Sequence, residues 1–186
     1  MKATLTLVIT LLAGCASAQD MFASSHDLSL WFGKSAKVLG SEDIRSGAGL
    51  SYSSARVEPR FKCAGVRAQL VYEGYVDYTD TAGVIRPRVS SEAAGALAYA
   101  RWWGRPFKVG PAFYADFGWG LQAATRPTFD LPSDFNSTPM VDIGTAVPAG
   151  REQVLLGVRF LHISNAGLAT PNRGQDELFL MAGVQW

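Results

Sequence analysis

The sequence of 186 residues predicts an all-β fold, an eight-stranded antiparallel transmembrane β-barrel. Apolar and polar residues alternate with a period of two along several segments, which indicates strands. The connections between these segments are alternately long and short, and the chain ends on an aromatic residue, Trp186. Short turns at one end of an even number of strands, with long loops at the other end, are typical of barrels in the bacterial outer membrane.

The first eighteen residues, MKATLTLVITLLAGCASA, are predicted to be a secretory signal peptide that is removed. A lysine precedes a long apolar run, and Ala16-Ser17-Ala18 has the small-residue pattern of a cleavage site. The segment LAGC also resembles a bacterial lipobox, so acylation of Cys15 stays an alternative. Cleavage after Ala18 is preferred because a protein embedded in a membrane gains little from a lipid anchor. Residues 19–186 then form a single barrel domain.

Composition excludes several other classes of protein. Seventeen basic and sixteen acidic residues give a net charge of +1 without a basic block, so nucleic acid is not an expected partner. Once Cys15 has left with the signal peptide, Cys63 is the only cysteine, and no intramolecular disulfide can form. His26 has no cysteine or histidine nearby in the sequence, so it is not expected to bind a metal. No cofactor is expected either.

Eight strands are predicted from the alternation, near residues 26–33, 46–55, 63–78, 91–103, 110–121, 139–147, 153–164 and 176–186. The pattern is clearest in the third, where the even positions are apolar, aromatic or small and the odd positions include Arg67 and Glu73. The fifth repeats it, with Phe113 and Phe117 on one face and Asp116 on the other. These strands therefore have one apolar face and one polar face.

The alternation of loop lengths decides which face points inward. Periodicity alone fits a soluble β-sandwich, whose apolar faces meet in a core. It fits equally a membrane barrel, whose apolar faces point outward. Since the loop pattern favours a membrane barrel, the apolar faces are expected to meet lipid and the polar faces to line a narrow lumen. Paired charges are expected to fill the lumen: Arg67, Glu73, Asp116, Asp142 and Arg159. Aromatic side chains and one histidine are expected at the membrane interfaces: Tyr72, Tyr78, Trp102, Trp103, Trp119, Trp186 and His26.

The seventh predicted strand ends in polar residues that continue its apolar face. Counting by two from Val158 and Phe160 reaches His162 and Ser164, and Asp176 opens the next strand on the same face. Consecutive strands are antiparallel neighbours, so these three side chains are expected to converge at the long-loop rim. A serine, a histidine and a carboxylate in contact are the groups with which a serine hydrolase activates its nucleophile. The same three residues would also fit a non-catalytic polar cluster at the ends of the strands. The alternation of faces does not decide between a catalytic site and such a cluster.

The string HISNAGLATPNRG, residues 162–174, strongly resembles the motif of the lipid A deacylases of the PagL type. These are eight-stranded outer-membrane barrels that hydrolyse an ester-linked acyl chain at the 3 position of lipid A. The resemblance implies that Ser164 is the nucleophile and His162 the general base. It also implies that Asn172 and the backbone N–H of Gly167 stabilise the oxyanion, and that Asn165 supports the loop.

The third member of the triad is a glutamate in this family, whereas the aligned position here holds Asp176 with Glu177 beside it. Parity places Asp176 on the face of His162, and Glu177 in the lumen, where Arg67 or Arg159 could pair with it. Asp176 is therefore the predicted acid, and Glu177 the alternative. A β-bulge at the start of the last strand would exchange the two.

The predicted function is thus that of an outer-membrane serine esterase whose substrate is lipid A or lipopolysaccharide in the surrounding outer leaflet. One alternative is a non-enzymatic OmpA-like barrel with a structural or adhesive role. Another is a soluble periplasmic lipid-binding barrel whose apolar rows point inward. A homodimer is compatible with the sequence, which gives no preference for acyl-chain length.

Overall fold

The structure, a computed structural model, describes residues 24–36, 38–39, 45–58, 62–75, 78–79, 83–86, 90–104, 110–128, 130–170 and 172–186. Their strands are β1 (Ser24–Ser35), β2 (Arg45–Glu58), β3 (Lys62–Tyr75), β4 (Tyr78–Thr79), β5 (Ile85–Arg86), β6 (Ser90–Gly104), β7 (Ala112–Ala124), β8 (Phe135–Ser137), β9 (Met140–Ala149), β10 (Glu152–Ile163) and β11 (Gln175–Gln185). None of the described segments is a helix of the length and apolar character that crossing a membrane requires. The predicted signal peptide lies outside the described residues and stays a prediction.

Eight long strands close into an antiparallel barrel, in the order β1, β2, β3, β6, β7, β9, β10 and β11. The last of them, β11, pairs with β1 from Asp27 opposite Gln185 to Ser35 opposite Glu177, which joins the two ends of the sheet. Closure of this kind leaves no strand edge exposed along the barrel wall. All eight predicted strands are confirmed, with bounds shifted by a few residues.

The short strands lie in the long connections and were not predicted. The third long strand ends at Tyr75 rather than at residue 78, and β4 and β5 then form a two-stranded hairpin. Strand β8 lies in the third long connection and pairs with the end of β7. Strands of two or three residues are too short to show a period of two, so the sequence pattern could not reveal them.

The two faces of the barrel wall have the expected polarity. Val66 is 45% exposed, whereas its neighbour Arg67 is 1% exposed. In β7 the same contrast separates Phe117, at 52%, from Asp116, at 0%. The apolar rows therefore cover the outside of the barrel, and the polar rows fill its lumen.

Six charged side chains form a connected network in the lumen. Arg159 donates to both oxygens of Asp142, at 2.8 Å each. Arg67 bridges Asp142 and Asp116, at 2.6 and 2.9 Å. The two remaining members, Arg101 and Asp27, were not predicted; Arg101 donates two hydrogen bonds to Asp116 and lies 3.4 Å from Asp27. The predicted charge pairing is confirmed for Arg67, Asp116, Asp142 and Arg159, while the side chain of Glu73 lies outside the described part.

Replacing Asp142 with asparagine is expected to destabilise the barrel by about 3–5 kcal/mol, because two buried guanidinium groups lose their shared negative charge. The midpoint of urea unfolding in detergent micelles or vesicles measures this change. The matched control is Glu152→Gln, which removes an exposed carboxylate at the short-turn end of β10 and should leave the midpoint nearly unchanged. Equal midpoints for the two variants would contradict a stabilising role for the network.

Three of the tryptophans predicted at the interfaces lie on the outer face, and one does not. Trp102, Trp119 and Trp186 are exposed on the outer face. Trp103 instead points into the lumen, where its ring packs against Tyr114 and lies 5.4 Å from the Arg101 guanidinium. Adjacent residues of a strand face opposite sides, so Trp102 and Trp103 could not both meet lipid. The side chains of Tyr72 and Tyr78 lie outside the described part.

His26 lies at the short-turn end of β1 on the outer face. Its ring stacks on Tyr52 at 5.9 Å and on Trp186 at 6.0 Å, and its Nδ1 lies 2.8 Å from the Tyr52 hydroxyl. This aromatic cluster is at the opposite end of the barrel from the predicted catalytic residues. His26 is 6% exposed because these rings cover it, and its position at a membrane interface stays a prediction.

Candidate active site

The pairing of β10 with β11 brings His162 directly opposite Asp176. The register between these strands is continuous from Gln153 opposite Gln185 to Ile163 opposite Gln175, so no bulge shifts the faces. His162 Nδ1 lies 2.7 Å from Asp176 Oδ1. Because a carboxylate only accepts hydrogen bonds, Nδ1–H is the donor, which leaves Nε2 with a free lone pair that can take a proton.

Asp176 is completely buried although its position belongs to the outer face. Two residues that follow β1 lie over it: the backbone N–H groups of Val38 and Leu39 both donate to Oδ2, the former at 3.1 Å. One oxygen of the carboxylate thus holds the imidazole while the other is held by the loop. This contact could not be predicted from the sequence, because every residue type except proline has the same backbone N–H donor.

Glu177 points into the lumen, as parity predicts. Its carboxylate lies 3.6 Å from the guanidinium of Arg45, and both side chains are buried. The expected partners of Glu177, Arg67 and Arg159, instead pair with aspartates. This expectation was wrong because Arg45 begins β2, two strands from β11, at nearly the same height as Glu177, whereas the other two arginines lie deeper in the lumen.

Ser164 lies just beyond β10 and is bridged to Ser137, the last residue of β8. Two backbone hydrogen bonds join the residues, and their hydroxyl oxygens are 2.9 Å apart. Among the described residues, no hydrogen bond joins Ser164 to His162, although both are on the same face. Ser137 was not found from the sequence, because it contacts Ser164 from 27 positions away.

The loop after Ser164 is organised by Asn165. Its side-chain oxygen accepts the N–H of Gly167 at 3.0 Å, and its amide nitrogen donates to the carbonyl of Ala169 at 3.0 Å. The backbone takes two successive left-handed conformations, at Ala166 with φ of 52° and at Gly167 with φ of 82°. The loop-supporting position predicted for Asn165 agrees with these contacts. The N–H of Gly167, expected at the oxyanion, is instead engaged within the loop.

Asn172 supports the start of the same loop. Its Oδ1 accepts the backbone N–H of Asn165 at 3.1 Å. Since the oxygen of this amide faces the loop, its NH₂ group faces the other way and offers two donors. Asn172 is exposed, so a ligand at the rim can reach these donors.

Gly174 provides the space that the imidazole of His162 occupies. It has a left-handed φ of 69°, and a Cβ placed on it would lie 2.6 Å from His162 Cε1 and 3.2 Å from Nε2. Gly174 is the last residue of the motif HISNAGLATPNRG, and its contact with the imidazole is the physical reason for a glycine here. A side chain here would push the ring away from the strand.

The Gly174→Ala variant is expected to lower the rate of ester hydrolysis roughly a hundredfold, because a shift of about 1 Å in a catalytic group has an effect of that size. The measurement is kcat on an ester substrate in micelles. Gly150→Ala is the matched control, since Gly150 has the same φ of 69° but nothing within 4 Å of its Cβ position. A similar loss in both variants would attribute the effect to backbone strain rather than to the imidazole.

The described residues contain no group of three or more histidine, cysteine, aspartate or glutamate side chains that could hold a metal ion. The polar groups gathered at the rim are those of His162, Asp176, Ser164, Ser137 and Asn172. Together they offer a proton acceptor, a fixed carboxylate, hydroxyl groups and amide donors. These are the groups that acyl transfer through a serine needs.

Comparisons with known proteins agree with the fold. The crystal structure of the outer membrane enzyme PagL superimposes with a TM-score of 0.57 at 17% identity, covering 84% of this chain and 97% of that one. The crystal structure of Neisserial surface protein A (NspA) gives a TM-score of 0.58 at 16% identity, covering 87% and 95%. A search of curated proteins finds no match.

The closed eight-stranded barrel and its lipid-facing outer surface are those of a bacterial outer-membrane protein, and the solved structures similar to it are of that kind. Residues 46–185 match the family described as lipid A 3-O-deacylase (PagL). This stretch includes every barrel strand except β1 and holds all of the predicted site residues. The chain therefore belongs to the PagL family of lipid A 3-O-deacylases.

Proposed function

We propose that this protein is a serine esterase that removes the ester-linked hydroxyacyl chain at the 3 position of lipid A and so remodels lipopolysaccharide. The observation that carries the proposal is the hydrogen bond of 2.7 Å between His162 and Asp176, located on the lipid-facing side of the rim next to Ser164. A buried carboxylate that fixes a histidine tautomer beside a serine is the arrangement of a Ser-His-Asp triad.

The first step requires the Ser164 hydroxyl to turn from Ser137 toward His162 Nε2. His162 then takes the hydroxyl proton while Ser164 Oγ attacks the ester carbonyl carbon, and Asp176 stabilises the imidazolium that forms. The NH₂ group of Asn172 donates to the oxyanion of the tetrahedral intermediate. The N–H of Gly167 can join it only after leaving Asn165 Oδ1.

Collapse of the intermediate breaks the bond between the carbonyl carbon and the sugar oxygen. The imidazolium of His162 returns its proton to that oxygen, which releases the deacylated lipid and leaves the acyl group on Ser164. Water then attacks this acyl-enzyme, with His162 again as the base. The products are a 3-hydroxy fatty acid and lipid A with one free hydroxyl group.

The position of the site suits a substrate that arrives within the membrane. Phe160 and Leu178, opposite each other in the register, lie one step below His162 and Asp176 on the outer face. The acyl chain of a neighbouring lipid can lie along this apolar surface while its ester is at the height of Ser164. No passage through the charged lumen is needed.

Mass spectrometry of lipid A from cells that express the protein tests this proposal. We expect the loss of one ester-linked 3-hydroxyacyl chain, relative to cells without the protein and to cells that express Ser164→Ala at the same level. Unchanged spectra, with the folded barrel present in the outer membrane, would contradict the proposal and favour the non-enzymatic barrel.

A further inference from the structure

We propose that Lys34 forms an anion subsite of this active site, which binds a phosphate group of the lipid whose ester is cleaved. The proposal rests on the proposed function for the identity of the substrate. It adds that the substrate must carry a negative charge, and that one side chain of the barrel wall binds this charge.

Lys34 occupies the last outer-face position of β1. It continues the row of Leu28, Leu30 and Phe32, which are all exposed to lipid, and it is itself exposed. On its two sides it pairs with Ser46 of β2 and Leu178 of β11, neither of which carries a charge. A lysine therefore follows three consecutive apolar positions of this row on the lipid-facing wall.

The register places this lysine beside the candidate triad. Lys34 is opposite Leu178, and Leu178 is opposite Phe160, so the three form one row across β1, β11 and β10. The next row toward the loops contains Asp176 and His162. Lys34 is thus two strand spacings of about 4.8 Å from β10 and one two-residue step below the site. Its flexible four-carbon stem can extend toward the interface and bring the ammonium group to the height of the site.

The protein itself does not neutralise this charge within the described part of the chain. Asp176 is buried, and its two oxygens are occupied by His162 and by the N–H groups of Val38 and Leu39. Glu177 is in the lumen beside Arg45. Glu92 is also exposed at the long-loop end of the outer face, but it belongs to β6, three strands from β1 around the barrel.

A cation on the lipid-facing wall is unfavourable by up to a few kcal/mol at the membrane midplane, and that cost falls toward the interface. An anionic group at the interface turns the same residue into a favourable contact. Here the acyl chain would lie on Phe160 and Leu178, its ester at Ser164, and an anion on Lys34 to one side. A lipid with a phosphate close to an acylated sugar hydroxyl satisfies all three contacts at once.

Steady-state kinetics in neutral detergent micelles test the subsite with three substrates: phosphorylated lipid A, chemically dephosphorylated lipid A, and an uncharged p-nitrophenyl ester. Lys34→Met keeps an apolar stem and removes the charge, whereas Lys34→Arg keeps the charge. Glu92→Gln is the control for loss of a charge on a distant strand of the outer face. We expect Lys34→Met to raise KM for phosphorylated lipid A about tenfold with kcat nearly unchanged, since a hydrogen bond to a charged group has an effect of at least that size.

Several further results are required by the same argument. Lys34→Arg should keep most of the wild-type KM, and all variants should hydrolyse the p-nitrophenyl ester equally. Dephosphorylated lipid A should show a raised KM with the wild type and no further rise with Lys34→Met. Added salt should raise the wild-type KM for the phosphorylated lipid and have less effect on Lys34→Met. Equal rises in KM for both lipids would overturn the subsite.

Two more measurements complete the test. The first identifies which lipid supplies the phosphate, and the second tests the subsite even if the protein does not hydrolyse lipid A. Phosphatidylglycerol added to the micelles raises the wild-type KM if Lys34 binds any lipid phosphate, and leaves it unchanged if the site needs the phosphate of the substrate itself. If the wild type hydrolyses no lipid, the affinity for phosphorylated lipid A is measured in the Ser164→Ala background. A tenfold weaker Kd on adding Lys34→Met supports the subsite there, and an unchanged Kd rejects it.

Discussion

Replacing Ser164 with alanine is expected to lower kcat for deacylation by a factor of roughly 10⁶, to the background level, because the attacking oxygen is removed. The barrel should stay folded, since the backbone bridge to Ser137 does not need the Ser164 side chain. Release of 3-hydroxy fatty acid from lipid A measures turnover, and the heat-dependent mobility of the folded barrel on a gel checks its integrity.

The neighbouring serine is the matched control for this substitution. Ser137→Ala removes the hydroxyl group that lies 2.9 Å from Ser164 Oγ, but it leaves the nucleophile in place. Its kcat should therefore stay far above that of Ser164→Ala. The reverse outcome, turnover in Ser164→Ala and none in Ser137→Ala, would move the nucleophile to β8.

Replacing Asp176 with asparagine is expected to lower kcat by a factor of about 10⁴, as the loss of a tautomer-fixing carboxylate does in other triads. An amide has only one oxygen, whereas Asp176 uses one oxygen for His162 and the other for Val38 and Leu39. Two backbone donors would hold that single oxygen and turn the NH₂ group toward His162 Nδ1. The imidazole would then carry its proton on Nε2, where it could no longer accept one from Ser164.

Glu177→Gln separates this effect from a general loss of carboxylate. Glu177 adjoins Asp176 in the sequence but pairs with Arg45 in the lumen, so its amide variant should keep kcat within a few fold of the wild type. Full activity of Asp176→Asn together with an inactive Glu177→Gln would reverse the choice of acid. The same kinetic assay, with the fatty acid quantified, is suitable for both variants.

Much of this geometry could be predicted from the sequence because strands alternate faces with a strict period of two. Once Val158 and Phe160 were assigned to the lipid side, His162 and Asp176 followed by counting, provided that no bulge intervened. The continuous register of β10 and β11 meets that condition. The same counting separated Asp176 from Glu177, which residue type alone could not do.

Other parts of the site depend on contacts between distant segments, which periodicity does not encode. Ser137 belongs to a strand of three residues in a connection that the sequence presents as a polar loop. The donors to Asp176 are backbone groups from about 137 positions earlier in the chain. The engagement of Gly167 by Asn165 depends on the exact path of a loop with two left-handed residues, and a motif comparison carries no information about that path.

The pairing of β1 with β11 is the contact that closes the sheet, and it involves the first and last strands of the barrel. His162 and Asp176 come from the end of the chain, whereas the N–H groups that hold the carboxylate come from the loop after β1. A chain whose ends have not yet met therefore has a serine, a histidine and an aspartate, but lacks the support that holds the acid in place. Under the proposed function, ester hydrolysis is therefore expected only from a chain in which β1 has paired with β11.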